Sequence, residues 1–179
     1  FGSQRHDLMY NDFILVGPKD DPAQIGAAKT TVEAFQKIAT AKARFASRSD
    51  DSGTHKAERR FWRTAGTTPK DASGKWYLET GLGMGATLNF AVQADAYALT
   101  DRATWLTFKN KTTHMPLYQG DPALFNQYGV VLVSQTHCPT IKAAESRIFV
   151  DWLLSPKGQN AIATFQHENR PLFFPNATP

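Results

Sequence analysis

Two glycine-bearing turns, each opening a helix, constrain this chain more than any other feature. The first is Ser47-Arg48-Ser49-Asp50-Asp51-Ser52-Gly53-Thr54-His55, which passes into Lys56-Ala57-Glu58-Arg59-Arg60-Phe61-Trp62, a stretch of helical composition. The second is Gly81-Leu82-Gly83-Met84-Gly85-Ala86-Thr87-Leu88, followed by good helix formers with apolar periodicity. A helix start carries unpaired backbone N–H groups and the positive end of the macrodipole, so an anion placed there is stabilised without any catalytic group. Ser52 and Thr54 add hydroxyl donors, Gly53 lets the backbone approach closely, and Arg48 offers a planar fork of charged donors. Each turn alone has a plainer reading: Asp51 or Ser52 as a helix cap, and the later glycines as a packing turn between strand and helix. Two such turns in one small domain favour a shared anion site.

The second turn is neither a dinucleotide fingerprint nor a P-loop. Its glycines fall at alternate positions rather than as G-x-G-x-x-G, and no Gly-Lys-Ser/Thr is present. The chain has 179 residues, enough for one large or two small domains. It contains no apolar run long enough to span a bilayer and no amino-terminal signal pattern. The 20 basic and 16 acidic side chains leave a small, scattered positive excess whose one compact cluster is Lys56, Arg59 and Arg60. That cluster reads as a solvated helix face, so no nucleic-acid partner is expected. Cys138 has no second cysteine to pair with, and neither it nor His137 has further metal ligands at a suitable spacing.

Periodicity predicts strands at 8–16, 43–47, 96–100, 105–108 and 129–134. It predicts helices at 31–41, 54–65, 143–154 and 156–165, with another after the second turn. Such alternation points to an α/β fold with a mostly parallel sheet, and such sheets bind ligands at the carboxyl ends of their strands.

Met9 to Pro18, Ser47 to His55, Gly83 to Leu88 and Ala96 to Arg102 resemble the tungstate-binding proteins of ABC importers. Gly120-Asp121, the strand from Tyr128 to Val133 and Trp152 to Gln159 fit the same family, so the resemblance runs in order along nearly the whole chain. It implies a type II periplasmic binding protein-like fold: two α/β lobes with mostly parallel sheets, joined by two crossing strands, clamping an oxyanion between them. In that frame 1–17 is a first-lobe remnant and hinge strand, 18–127 is the second lobe carrying the anion turns, and 128–179 is the return strand with the first lobe's carboxyl-terminal helices. The family's opening threonine- and serine-rich turn has no counterpart before Phe1. The first lobe is therefore expected to be incomplete, short by roughly a quarter to a third of a normal mature protein, with an edge open to a dimer partner.

The resemblance implies a solute receptor, not an enzyme, with no cofactor and no metal. Its ligand would be tungstate or molybdate, its partner an ABC-transporter membrane permease, and its location periplasmic or extracytoplasmic. Arg48, Ser52, Gly53 and Thr54 would contact the anion from one helix start, and Met84, Gly85, Ala86 and Thr87 would surround it at the other. A carboxylate facing a dianion is repulsive, so Asp50 and Asp51 are expected to orient Arg48 or cap the helix. The grip of this lobe alone is expected to be weak and to discriminate little between tungstate and sulfate. Phosphate is the alternative ligand, because phosphate-binding proteins carry a similar turn, matched by Arg48, Asp50, Ser52, Gly53 and Thr54. Asp51-Ser52-Gly53 also matches the triplet of aspartic proteases, a remote reading that would need a second carboxylate sharing a proton.

Overall fold

The computed structural model describes residues 2–178; Phe1 and Pro179, at the outer ends of the two expected first-lobe segments, lie outside the described residues. The chain separates into two compact units, Asp12–Leu124 and Phe1–Asn11 with Phe125–Pro179. Strand β1 (Gly2–Pro18) contributes to both.

The unit Asp12–Leu124 contains, after β1, helix α1 (Thr31–Ala41), β2 (Phe45–Ser47), α2 (Gly53–Thr64), β3 (Tyr77–Glu79), α3 (Met84–Gln93), β4 (Ala98–Asp101), α4 (Arg102–Thr107) and β5 (His114–Tyr118). Strand alternation distributes the core. Phe13, Leu15 and Phe45 join Phe35, Ile38, Phe61, Trp62 and Tyr77 in one cluster, beneath α1 and α2. Ile14, Val16 and Ala46 turn the other way, into a second cluster with Met84, Leu88, Ala91 and Trp105. Aromatic rings dominate the first cluster: Trp62 meets Phe35 edge-on at 4.5 Å and Phe45 at 5.1 Å.

The sheets are mixed rather than mostly parallel throughout. β2 pairs in parallel with β3 and bridges in parallel to Tyr97 just before β4. β1, however, runs antiparallel to both β4 and β5. Several elements separate β1 from both neighbours in sequence, so no single strand–helix–strand crossover, the connection that joins parallel neighbours, links them. The expected strand at 105–108 is instead the helix α4. Asp101 caps it, accepting from the Thr104 N–H at 2.9 Å, and Trp105 goes into the core. Four apolar-rich residues were too few to separate the two periods. β3 and β5 were not anticipated.

The other unit holds β6 (Phe125–Val133), α5 (Ala143–Leu154), α6 (Pro156–Ala163), β7 (Gln166–His167), β8 (Arg170–Pro171) and β9 (Phe174–Pro175). β6 and β9 both pair with β1. Tyr10 lies between the rings of Phe125 and Phe174, at 5.1 and 5.3 Å. Ser155 ends α5 and caps α6, with Pro156 at the first helical position, where its missing N–H costs nothing.

Candidate anion-binding site

β2 and β3 are in register with Ser47 opposite Glu79, so both strands end at the same level of one sheet edge. Each then turns into a helix, 48–52 leading to α2 and 80–83 to α3. The Thr80 N–H and hydroxyl both donate to the Ser47 carbonyl at 2.9 Å, which ties the second turn to the root of the first.

The first turn is wound tightly. Ser49 and Asp51 occupy the left-handed region at φ 47° and 58°, a conformation that costs a non-glycine residue about 1–3 kcal/mol. Local bonds hold it there. The Ser49 N–H donates to Ser47 Oγ at 3.2 Å, the Asp51 N–H to His55 Nδ1 at 3.0 Å and the Ser52 N–H to Asp50 Oδ1 at 3.2 Å. Ser52 caps α2, its Oγ accepting from the His55 N–H at 3.3 Å. The N–H groups of Gly53 and Thr54 remain as first-turn donors outside the helical ladder. A side chain added at Gly53 would meet nothing within 4 Å.

The second turn uses Gly81, at φ 66°, to reverse the chain. α3 starts behind Gly83, which provides no side-chain cap, so the N–H groups of Met84, Gly85 and Ala86 are again first-turn donors. The Met84 side chain is buried in the core, leaving its backbone as its contribution. Thr87 departs from expectation. It is fully buried, its hydroxyl lies 3.0 Å from Thr80 Oγ1 and 3.3 Å from the Leu82 carbonyl, and its N–H donates to the Gly83 carbonyl. Thr87 holds the turn from within, and no donor of its own is left for an anion.

Arg48 donates from one Nη to Asp50, while its buried Nε has no partner. Burial resists ionisation of Asp50, but hydrogen bonds from Ser52 and Arg48 outweigh it and hold the carboxyl down at about 2. Asp50 thus orients Arg48, as expected of it. Asp51 is exposed and faces Lys56 at 3.3 Å, so the capping role falls to Ser52. The buried His55 Nε2 is also unpartnered. Its ring is kept toward the neutral form by burial and by nearby Arg59.

Sequence reasoning missed the layer beneath the turns. Glu58, on α2, is 2% exposed and accepts from Ser47 Oγ at 2.7 Å, Tyr77 OH at 2.7 Å and Trp62 Nε1 at 3.1 Å. Ser49 Oγ donates to Glu79 at 3.0 Å. The available signal was position: Glu58 shares the helix face of Trp62 and Ala65, at four- and seven-residue spacing.

Arg102 is not a second anion donor. Its guanidinium is forked onto Asp12 at 2.7 and 2.6 Å and bonded to Gln119 at 2.8 Å. Among the described residues, no group of His, Cys, Asp or Glu is placed to hold a metal ion, and no helix is long and apolar enough to cross a membrane.

Residues 1–157 match the family model of the PBP superfamily domain. The solved structure of the tungstate-binding protein TupA from Desulfovibrio alaskensis superposes with a TM-score of 0.79 at 39% identity, covering 99% of this chain and 72% of that one. This chain belongs to the PBP superfamily and, within it, to the family of the tungstate-binding proteins. A second member of the superfamily, the tungstate ABC transporter structure from Geobacter sulfurreducens, is 43% identical with a TM-score of 0.80 over 92% of this chain and 69% of that one. TupA of Peptoclostridium acidaminophilum is 42% identical over 180 residues, 98% of this chain and 62% of that protein. The chain spans 52%, 62% and 65% of the length of the curated relatives it matches.

Proposed function

We propose that this chain carries the anion-gripping lobe of a solute receptor that captures a tetrahedral oxyanion, tungstate or molybdate, and hands it to the membrane permease of an ABC importer. One observation carries the reading: two helix starts with free first-turn N–H groups leave the same edge of the parallel pair β2–β3, at the level set by Ser47 and Glu79. A fully ionised tetrahedral dianion has only acceptors, so it needs donors on each side it presents. Gly53 and Thr54 supply them from one start, Met84, Gly85 and Ala86 from the other, with the Ser52 and Thr54 hydroxyls and the Arg48 fork alongside.

The ligand leaves chemically unchanged, so the site needs no general base, and a receptor that feeds an importer works on the outer side of the membrane, outside the cytoplasm. Tungstate is favoured over phosphate by the relatives. Calorimetric titration with tungstate, molybdate, sulfate and phosphate tests the reading. Tungstate and molybdate should bind, and because this lobe grips the anion from one side, their margin over sulfate should be small. A folded protein that binds none of the four would overturn the proposal.

A further inference from the structure

Glu58 lies on α2 five residues beyond Gly53, about 7–8 Å along the helix axis from the first-turn donors. It is buried, and its hydrogen-bond partners are all neutral: Ser47, Tyr77 and Trp62. Among the described residues no cation pairs with it. The elements packed around it supply little compensation. β3 brings Tyr77, whose own ionisation is suppressed by burial and by Glu58, and Glu79, whose charge opposes that of Glu58. α1 presents Phe35 to Trp62, an apolar contact. The nearby cations act elsewhere: Arg59 of α2 on His55, and Lys70 of the 69–72 turn on His55 and Glu79. Burial outweighs the three hydrogen bonds and pushes the Glu58 carboxyl up to about 7.

We propose that Glu58 is a proton site linked to the anion turn, so that an oxyanion seated on the Gly53 and Thr54 N–H groups binds together with a proton taken from water by the Glu58 carboxyl. The inference rests on the anion reading of the turn. Its physical basis is like-charge repulsion through a low-dielectric medium: a dianion at the helix start and a carboxylate one and a half turns inside it disfavour each other. Adding a proton to Glu58 removes that opposition. The effect is reciprocal by linkage, so whatever factor the proton adds to anion affinity, the anion adds to proton affinity. The network also reaches the loop directly, since Ser47 Oγ both donates to Glu58 and accepts from the Ser49 N–H.

The test is calorimetric titration of the chain with tungstate and, separately, with sulfate, at pH 6, 7 and 8. Both anions stay fully ionised over this range. Using buffers of different ionisation enthalpy reveals proton exchange. The expected result is net proton uptake on binding near pH 7, with affinity falling about tenfold between pH 6 and pH 8. Glu58→Gln should bind at all three pH values with the parent's low-pH affinity and without proton uptake. Binding by the parent with no proton uptake and a flat affinity would overturn the inference, as would pH dependence that survives in the variant. Should the variant not fold, infrared difference spectra of the parent decide: a protonated-carboxyl C=O band that grows on adding sulfate at pH 7.5 supports the link, and its absence rejects it. Failure of every anion to bind at any pH would remove the receptor reading and this inference together, whereas binding without protons removes only the latter.

Discussion

Ser47 and Glu79 stand opposite each other at the ends of two parallel strands, and Ser49, two residues beyond Ser47, reaches across to the Glu79 carboxylate at 3.0 Å. The two glycine turns are therefore built on one frame, and their free N–H groups are positioned by strand pairing rather than by loop flexibility.

Gly53 is the residue whose replacement should separate fold from binding. Its φ lies outside the left-handed region and an added Cβ meets nothing, so Gly53→Ala should change stability by no more than about 0.5 kcal/mol. The same methyl group would stand where an anion must approach the N–H groups, and affinity should fall at least about tenfold. Denaturant melts and calorimetry on the same preparation check both halves. Undiminished binding would place the anion elsewhere.

Arg48→Lys should weaken oxyanion binding by about one or more orders of magnitude while leaving the fold intact by circular dichroism. Lysine has no planar fork, and a charge-assisted hydrogen bond contributes about 1.5–3 kcal/mol. An equally tight Lys variant would mean that the unpartnered Arg48 Nε is not aimed at the ligand.

Ser52→Ala removes the cap from the His55 N–H and should cost about 1 kcal/mol of stability. The Ser52 side chain also hydrogen-bonds the Asp50 carboxylate that orients Arg48, so removing the hydroxyl should loosen the turn and weaken binding as well. A loss of stability with unaltered affinity would confine Ser52 to capping.

Glu58 also sets a pH dependence of stability. Its carboxyl is raised from 4.5 to about 7 in the folded chain. The folded state therefore favours the protonated form, and this contribution is complete below pH 4.5 and lost as pH rises through 7. The total is about 3 kcal/mol. His55, shifted downward by burial, works in the opposite sense below 6.5. The contribution of Glu58 is thus best read against Glu58→Gln: in urea melts the parent should lose ground to the variant from pH 5 to pH 7 and hold level above it. A gap that stays constant from pH 5 to pH 8 would argue against a buried titrating carboxyl.

Much of this site was legible in the chain itself. Small polar residues before a helical run marked Asp51 or Ser52 as a cap, and repulsion between carboxylates and an anion left Asp50 and Asp51 to orient Arg48 or cap the helix; Ser52 is the cap and Asp50 the partner of Arg48. What stayed hidden depends on contacts distant in sequence. Glu58 sits among Lys56, Arg59 and Arg60 and reads as solvent-facing until Ser47 and Tyr77 are brought to it by β2 and β3. Thr87 looks like a hydroxyl donor at a helix start, and only the position of Thr80 shows that its hydroxyl is already engaged. Trp105 to Phe108 resembles a strand because four residues cannot reveal a period, and the Asp101 cap decides for helix.

That cap has a bearing on stoichiometry. β4 bridges to β2 in parallel through Tyr97 and Phe45, so α4 also leaves from the edge where α2 and α3 begin. Its start is already taken by a carboxylate: Asp101 accepts from the Thr104 N–H at 2.9 Å and from the Thr104 hydroxyl at 2.6 Å. A free anion arriving there would meet a fixed negative charge instead of open donors. Three helices begin along one edge, yet the third carries its own permanent counter-charge, so the proposed receptor reading assigns the lobe a single oxyanion, at the two starts whose donors stay open.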